Sequence, residues 1–174
     1  NLRLVAHVIK KYTNTGKAIE AYQQVLSRDG AHRGALEALG RLYEAKGEPA
    51  QAAETLEKVL SMLSGEEAVQ LAARLADLFT KVKDDAGVRR VLEAGLKAQP
   101  DSKPVRERLR KLYERTGAWA EVADLVAQDA EAAPDAPAKV KLLQQAADIH
   151  ATKRKDHAAA AALLEKASGL APDD

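Results

Sequence analysis

The side chains with the widest chemical range in this sequence are four histidines, His7, His32, His150 and His157, and a basic run at Lys153, Arg154 and Lys155. Two histidines on one helix face with a carboxylate would make a metal site or an acid–base centre. His150 and His157 stand seven residues apart, but a turn falls between them and no Asp or Glu completes a ligand set. All four read as surface or groove histidines. The patterns HExxH, GxSxG, GxxxxGK and GxGxxG do not occur, so neither a zinc hydrolase, a nucleophile elbow nor a phosphate cradle is indicated. Cysteine is absent, which excludes thiol catalysis, disulfides and thiolate metal sites. The expectation is a non-enzyme with no catalytic residues, no metal and no cofactor. The Lys153–Lys155 run reads as cations that complement the C-terminal end of a helix dipole.

Charge and composition narrow the partners. Lys and Arg number 27 against 26 Asp and Glu, so no global field recruits nucleic acid or an anionic membrane. Aromatic residues make up only 3% of the chain, few for stacking bases or gripping proline-rich ligands. Apolar residues at 46% and charged residues at 30% suit a folded chain with a sizeable core. No stretch reaches the ~18 apolar residues that a membrane helix needs. The chain begins at Asn1 without a methionine and reads as a segment of a larger protein. A cytoplasmic setting is favoured unless a signal peptide precedes Asn1.

These residues need elements to position them, and the periodicity supplies helices. Apolar residues recur at spacings of three and four, good helix formers dominate, and no run alternates with period two. Turn signals divide the chain at TNTG (13–16), RDG (28–30), KGEP (46–49), KDD (83–85), QPDSKP (99–104), RTGA (115–118) and AAPDAP (132–137). About ten helices of ~12–15 residues fit between them. Glu66, Glu67, Asp84 and Asp85 fall where helices start and read as caps or dipole partners. Gly40 lies inside a helical pattern formed by Leu36, Leu39, Leu42 and Tyr43. An interior glycine costs roughly 1 kcal/mol against alanine, so close packing should demand it.

The punctuation repeats. Pro100 and Pro134 are 34 residues apart, and Tyr43 and Tyr113 each stand four residues before a glycine, Gly47 or Gly117. The chain divides into five units, at about 1–32, 33–66, 69–102, 103–136 and 141–174, with extra residues near 67–68 and 137–140. Leu36, Leu39, Gly40, Tyr43, Ala52, Leu56 and Val59 form the clearest copy; Leu75, Ala76, Phe79, Leu92 and Pro100 form another. With these motifs the sequence resembles the tetratricopeptide repeat family. The resemblance implies an all-α fold, a right-handed superhelical α-solenoid of antiparallel helix–turn–helix repeats, as one array over residues 1–174. It pairs the small residues Gly40 with Ala52, and Ala6 with Ala18, at the helix A–helix B contact. Arg110 and Asp148 depart at that position, predicting looser hairpins or an altered register in the last two units. Trp119 reads as hairpin packing, with a partner anchor as the alternative.

The resemblance also implies a partner groove on the helix A faces. In the first unit it would use Arg3, His7 and Lys11, and in the second Glu37, Arg41 and Glu44. The third would add Gln70, Asp77 and Lys81, the fourth Glu107, Lys111 and Arg115, and the fifth Gln145, Ile149, Thr152 and Lys153. The bland alternative is a solvated face with i,i+4 pairs such as Glu37–Arg41 and Glu107–Lys111. A carboxylate clamp of Lys and Asn is not indicated, because only Asn1 and Asn14 occur and neither fits it. The leading expectation is a scaffold or adaptor holding a peptide or helix of a protein partner. A structural spacer or self-association module, with homo-oligomers formed through exposed terminal repeats, is the alternative. RNA binding is the weaker third reading, because near-zero net charge opposes it. Neither nucleic acid nor direct membrane insertion is expected.

Overall fold

A computed structural model describes residues 15–170. The sequence-predicted first helix, with Arg3, Ala6, His7 and Lys11, lies outside the described residues, as does Pro172. The described chain is all-α and contains no strand. Its helices are α1 (Thr15–Arg28), α2 (Arg33–Lys46), α3 (Pro49–Leu60), α4 (Gly65–Lys81), α5 (Asp85–Ala98), α6 (Lys103–Thr116), α7 (Trp119–Glu131), α8 (Ala136–Ile149) and α9 (His157–Ser168). A π turn at His150–Arg154 continues α8. Two compact units divide within α6, Asn1–Val105 and Arg106–Asp174.

Local chemistry sets the helix ends. His32 caps α2 by accepting the Ala35 N–H at Nδ1 (3.1 Å), and Pro49 opens α3, where a missing N–H costs nothing. Asp84, Asp135 and Asp156 cap α5, α8 and α9 by accepting from Gly87, Ala138 and Ala159 at 2.8–3.0 Å. Glu66 and Glu67 stand in the first turn of α4, against the positive end of the helix dipole. Residues 67 and 68, read from the sequence as an insertion between units, therefore lie inside a helix that starts at Gly65. Residues 137–140 are likewise helical, within α8.

In the first unit the core runs between consecutive antiparallel helices. Leu36 and Leu39 of α2, Leu56 and Val59 of α3, Leu75 and Phe79 of α4, and Val91 and Leu92 of α5 are all buried. The sequence pairs Gly40 with Ala52, and the structure corrects this. A Cβ on Gly40 would stand 2.5 Å from Cγ of Leu56, so a branched leucine and not a second small residue occupies the space the glycine leaves. A small–small contact does occur one hairpin later, where a Cβ on Gly95 of α5 would come 2.7 Å from the Ala72 Cβ of α4.

In the second unit Leu109, Leu112 and Tyr113 of α6 are buried while Arg110 faces solvent and pairs with Glu114 at 3.0 Å. Arg110 stands where Gly40 does in α2 and is exposed, while Val105 and Leu109 are buried as Ala35 and Leu39 are. Asp148 is also exposed, and the buried small residues of α8 are Ala146 and Ala147. The small position of the last unit is therefore Ala147. Ala130, Leu143 and Ala167 join α7, α8 and α9 in one cluster, with Val140, Leu142 and Leu163 packed on it.

The hairpin turns share one geometry. Gly47, Lys83, Gly117 and Lys155 all take left-handed backbone, with φ of 79°, 59°, 72° and 58°. The N–H of the next residue returns to the carbonyl of Tyr43, Phe79, Tyr113 or His150 at 2.8–3.0 Å, which satisfies a carbonyl the helix end leaves open. His150 thus occupies the place that an aromatic ring holds in the other three hairpins. It is 8% exposed, which corrects its reading as a surface or groove histidine.

Glu131 binds the second unit at its edge. Its carboxylate accepts from Lys139 of α8 at 2.8 Å and from Lys166 of α9. Hydrogen bonds from Lys139, then from Lys166, hold its pKa down at about 2. A carboxyl lowered in the folded state stabilises at pH above its ordinary value near 4.5, and that help disappears as pH falls towards about 2. Glu131→Gln should therefore destabilise the chain at neutral pH. The difference from the parent should close across that acid window and shrink in high salt; urea titrations at several pH values measure it.

Candidate functional site

The first unit contains a depression of about 370 Å³ between the parallel faces of α2 and α4. Its floor is the C-terminal part of α3 and the segment after it, Leu56, Val59 and Leu63, joined by Leu71 of α4. Leu56 and Val59 are buried, whereas Leu63 and Leu71 are half-buried and present apolar surface to the opening. Arg33, Glu37 and Arg41 form one wall; Glu67, Gln70 and Arg74 form the other.

Two ion pairs tie the walls together. Arg33 donates through Nε to Glu37 (2.7 Å) and through Nη2 to Glu67 across the depression (3.2 Å). Further along, Arg74 of α4 pairs with Glu44 of α2. Hydrogen bonding to Glu37, then to Glu67, raises the Arg33 pKa above the ordinary guanidinium value. Gln70 donates its amide to Glu66 at 3.2 Å. Arg41 lies between the two ties, is exposed, and has no ion-pair or hydrogen-bond partner among the described residues. The sequence pairs Glu37 with Arg41; the structure gives Glu37 to Arg33 instead and leaves Arg41 without a counter-charge.

The structure thus brings Glu37, Arg41, Glu44 and Gln70 to one place. Asp77 and Lys81 lie further along α4, exposed and outside the depression. Glu107, Lys111 and Arg115 belong to the second unit, where Glu107 and Lys111 form an exposed i,i+4 pair at 2.7 Å. Hydrogen bonding to Lys111 lowers the Glu107 pKa. Arg33, Leu63, Glu67, Leu71 and Arg74 escaped the sequence reading. The Arg33–Glu37 spacing of four residues was a usable signal, but the cross-wall pairs needed the early start of α4.

In the second unit the basic run has specific partners. Lys153 Nζ lies 5.0 Å from the ring centroid of Trp119, which opens α7 and is half-buried. Arg154 donates to Nδ1 of His150 at 2.8 Å, which places the histidine proton on Nε2. Among the described residues no cluster of His, Asp or Glu is placed to hold a metal ion, and no helix is long and apolar enough to cross a membrane.

A family model described as tetratricopeptide repeat matches residues 13–77, which span α1 to α3 and most of α4. Over those residues the chain is similar to the tetratricopeptide repeat family. Among solved structures, the chain resembles one from the Naa15/Naa10 structure bound to HypK-THB, with a TM-score of 0.57 and 16% identity. That match covers 97% of this chain and 25% of the other, so this chain spans a quarter of its length. The structure titled "YrrB: a TPR protein with an unusual peptide-binding site" gives a TM-score of 0.48 at 18% identity, covering 97% and 84%. A MamA crystal structure gives 0.47 at 18%, covering 93% and 85%. A search of curated proteins returned no match. The tetratricopeptide repeat is a scaffold for protein–protein contacts, and the hairpin α2–α3 lies wholly inside the matched residues.

Proposed function

We propose that this chain is a non-catalytic scaffold that holds an extended segment of a protein partner along its helix A faces, chiefly in the depression between α2 and α4. The observation that carries the reading is the composition of that depression. Half-buried Leu63 and Leu71 offer apolar area, and the surrounding Arg, Glu and Gln side chains offer directional hydrogen bonds. In the proposal residues 1–174 act as one array of five repeats. Arg3, His7, Lys11, Asp77, Lys81, Glu107, Lys111 and Arg115 extend the binding face beyond the depression. A peptide array probed with the full chain tests it. Leu63→Arg should remove binding, because it replaces apolar area on the floor with a charged group that a bound segment would have to desolvate. Lys111→Glu should weaken it modestly at low salt. Undiminished binding by Leu63→Arg would move the site elsewhere.

A specific feature favours self-association as a second reading. Helix α9, HAAAAALLEKAS, is apolar around most of its circumference, yet only Ala160 and Ala167 are buried and Leu164 is 49% exposed. A helix apolar on all sides ordinarily has neighbours on all sides. Molecular mass that rises with concentration, and falls back in Leu164→Glu, would support it; a constant monomer mass would remove it.

A further inference from the structure

The depression between α2 and α4 is chemically asymmetric, and the asymmetry specifies what it accepts. Of its charged lining, Arg33 is answered by Glu37 and Glu67, and Arg74 by Glu44. Arg41 is the wall cation with no such answer among the described residues. It stands between the two ties and lines the same depression as the half-buried Leu63 and Leu71. An exposed guanidinium over apolar surface is suited to a carboxylate, which it grips through two parallel N–H donors. A basic segment would meet Arg41 as a like charge, and a purely apolar one would desolvate it without return. The span also limits length. From Arg33 to Glu44 the wall rises roughly 16 Å at 1.5 Å per residue, room for about four or five residues of extended chain.

Resting on the groove reading above, we infer that the depression takes a short extended segment carrying a side-chain carboxylate on Arg41 and an adjacent aliphatic side chain on Leu63 and Leu71. The occupant is a protein segment with an Asp or Glu next to Leu, Ile or Val. Its recognition lies in the Arg41 charge and the apolar floor, and its chain ends play no part.

A positional-scanning library of hexapeptides, acetylated and amidated at their ends, tests this with the full chain. The parent should enrich Asp or Glu beside Leu, Ile or Val. Arg41→Gln should lose the acidic preference, keep the aliphatic one, and bind a representative peptide about tenfold more weakly. Arg41 is exposed, so the variant should melt with the parent, which separates lost recognition from lost folding. Acidic preference that persists in Arg41→Gln would overturn the inference, while loss of all binding in Leu63→Arg would leave the groove reading standing. Enrichment indifferent to both substitutions, or no enrichment either in this library or in a matched one with free C-termini, would sink the groove reading and the inference together. Enrichment only in the library with free C-termini would overturn the inference alone, by assigning Arg41 a terminal carboxylate.

Discussion

Gly40→Ala lowers the stability of the chain by about 2 kcal/mol, although alanine is the better helix former. The propensity gain is roughly 1 kcal/mol. Against it, the new methyl carbon would lie 2.5 Å from Cγ, 2.6 Å from Cδ2 and 3.1 Å from Cδ1 of Leu56. Leu56 is 1% exposed, so displacing it disturbs the core around it, and overpacking of this kind costs about 1–3 kcal/mol. A severe approach to a branch carbon belongs at the upper end of that range. Leu56→Ala alone should cost about 2–5 kcal/mol through the cavity it leaves. The double substitution should cost less than the two singles added, because the methyl at 40 enters the vacated space. Gly34→Ala is the control in the same helix. Its Cβ would meet the His32 ring at ordinary distances, Cε1 at 3.5 Å and Nδ1 at 3.7 Å, and it should be neutral or slightly stabilising. Urea denaturation measures all four, and Gly40→Ala as stable as the parent would refute the contact.

Gly87→Ala should cost about 1–3 kcal/mol net of the same propensity gain of roughly 1 kcal/mol, because two features fail together. The added carbon would stand 2.5 Å from Phe79 Cδ1 and 2.5 Å from Asp84 Oδ2. The buried ring of Phe79, which also lies 5.6 Å beneath the Arg90 guanidinium, would be displaced, at an overpacking cost of about 1–3 kcal/mol. The Asp84 carboxylate, which accepts the Gly87 N–H at 2.9 Å, would be pushed off the helix end it caps, losing about 1 kcal/mol. Placing Gly87→Ala in an Asp84→Ala background removes the second loss and leaves the ring clash. A smaller penalty there than in the parent is the expected thermal-melt result; equal penalties would show that the cap is indifferent to residue 87.

The helices and their ends were legible because they rest on local signals. Asp84, Asp135 and Asp156 announce helix starts, and Gly47 and Gly117 announce hairpin turns, without reference to distant residues. What misled the reading was phase. Arg110 and Asp148 occupy sequence positions where a small residue is wanted, yet both are exposed, and the second is simply next to Ala147, which does the packing. Gly87 and Gly95 carried no repeat signature, so their close contacts emerge only from the geometry. The candidate site was half legible. Glu37, Arg41, Glu44 and Gln70 follow from the repeat resemblance, whereas Glu67 and Arg74 join them because α4 begins at Gly65.

The turn after α8 carries a consequence for how such a chain drifts in length. In three hairpins the closing N–H reaches back five residues, to Tyr43, Phe79 or Tyr113; at Asp156 it reaches back six, to His150. The π turn stores that one surplus residue inside the helix as a wider loop of backbone. Lys155 still takes the left-handed conformation of its counterparts, and α9 still begins at a capped Asp156. This closure holds one residue more than the other three and still delivers a capped helix start. Hairpin closure in this chain is therefore a tolerant seam, where sequence length can vary while the phase of the following helix is preserved.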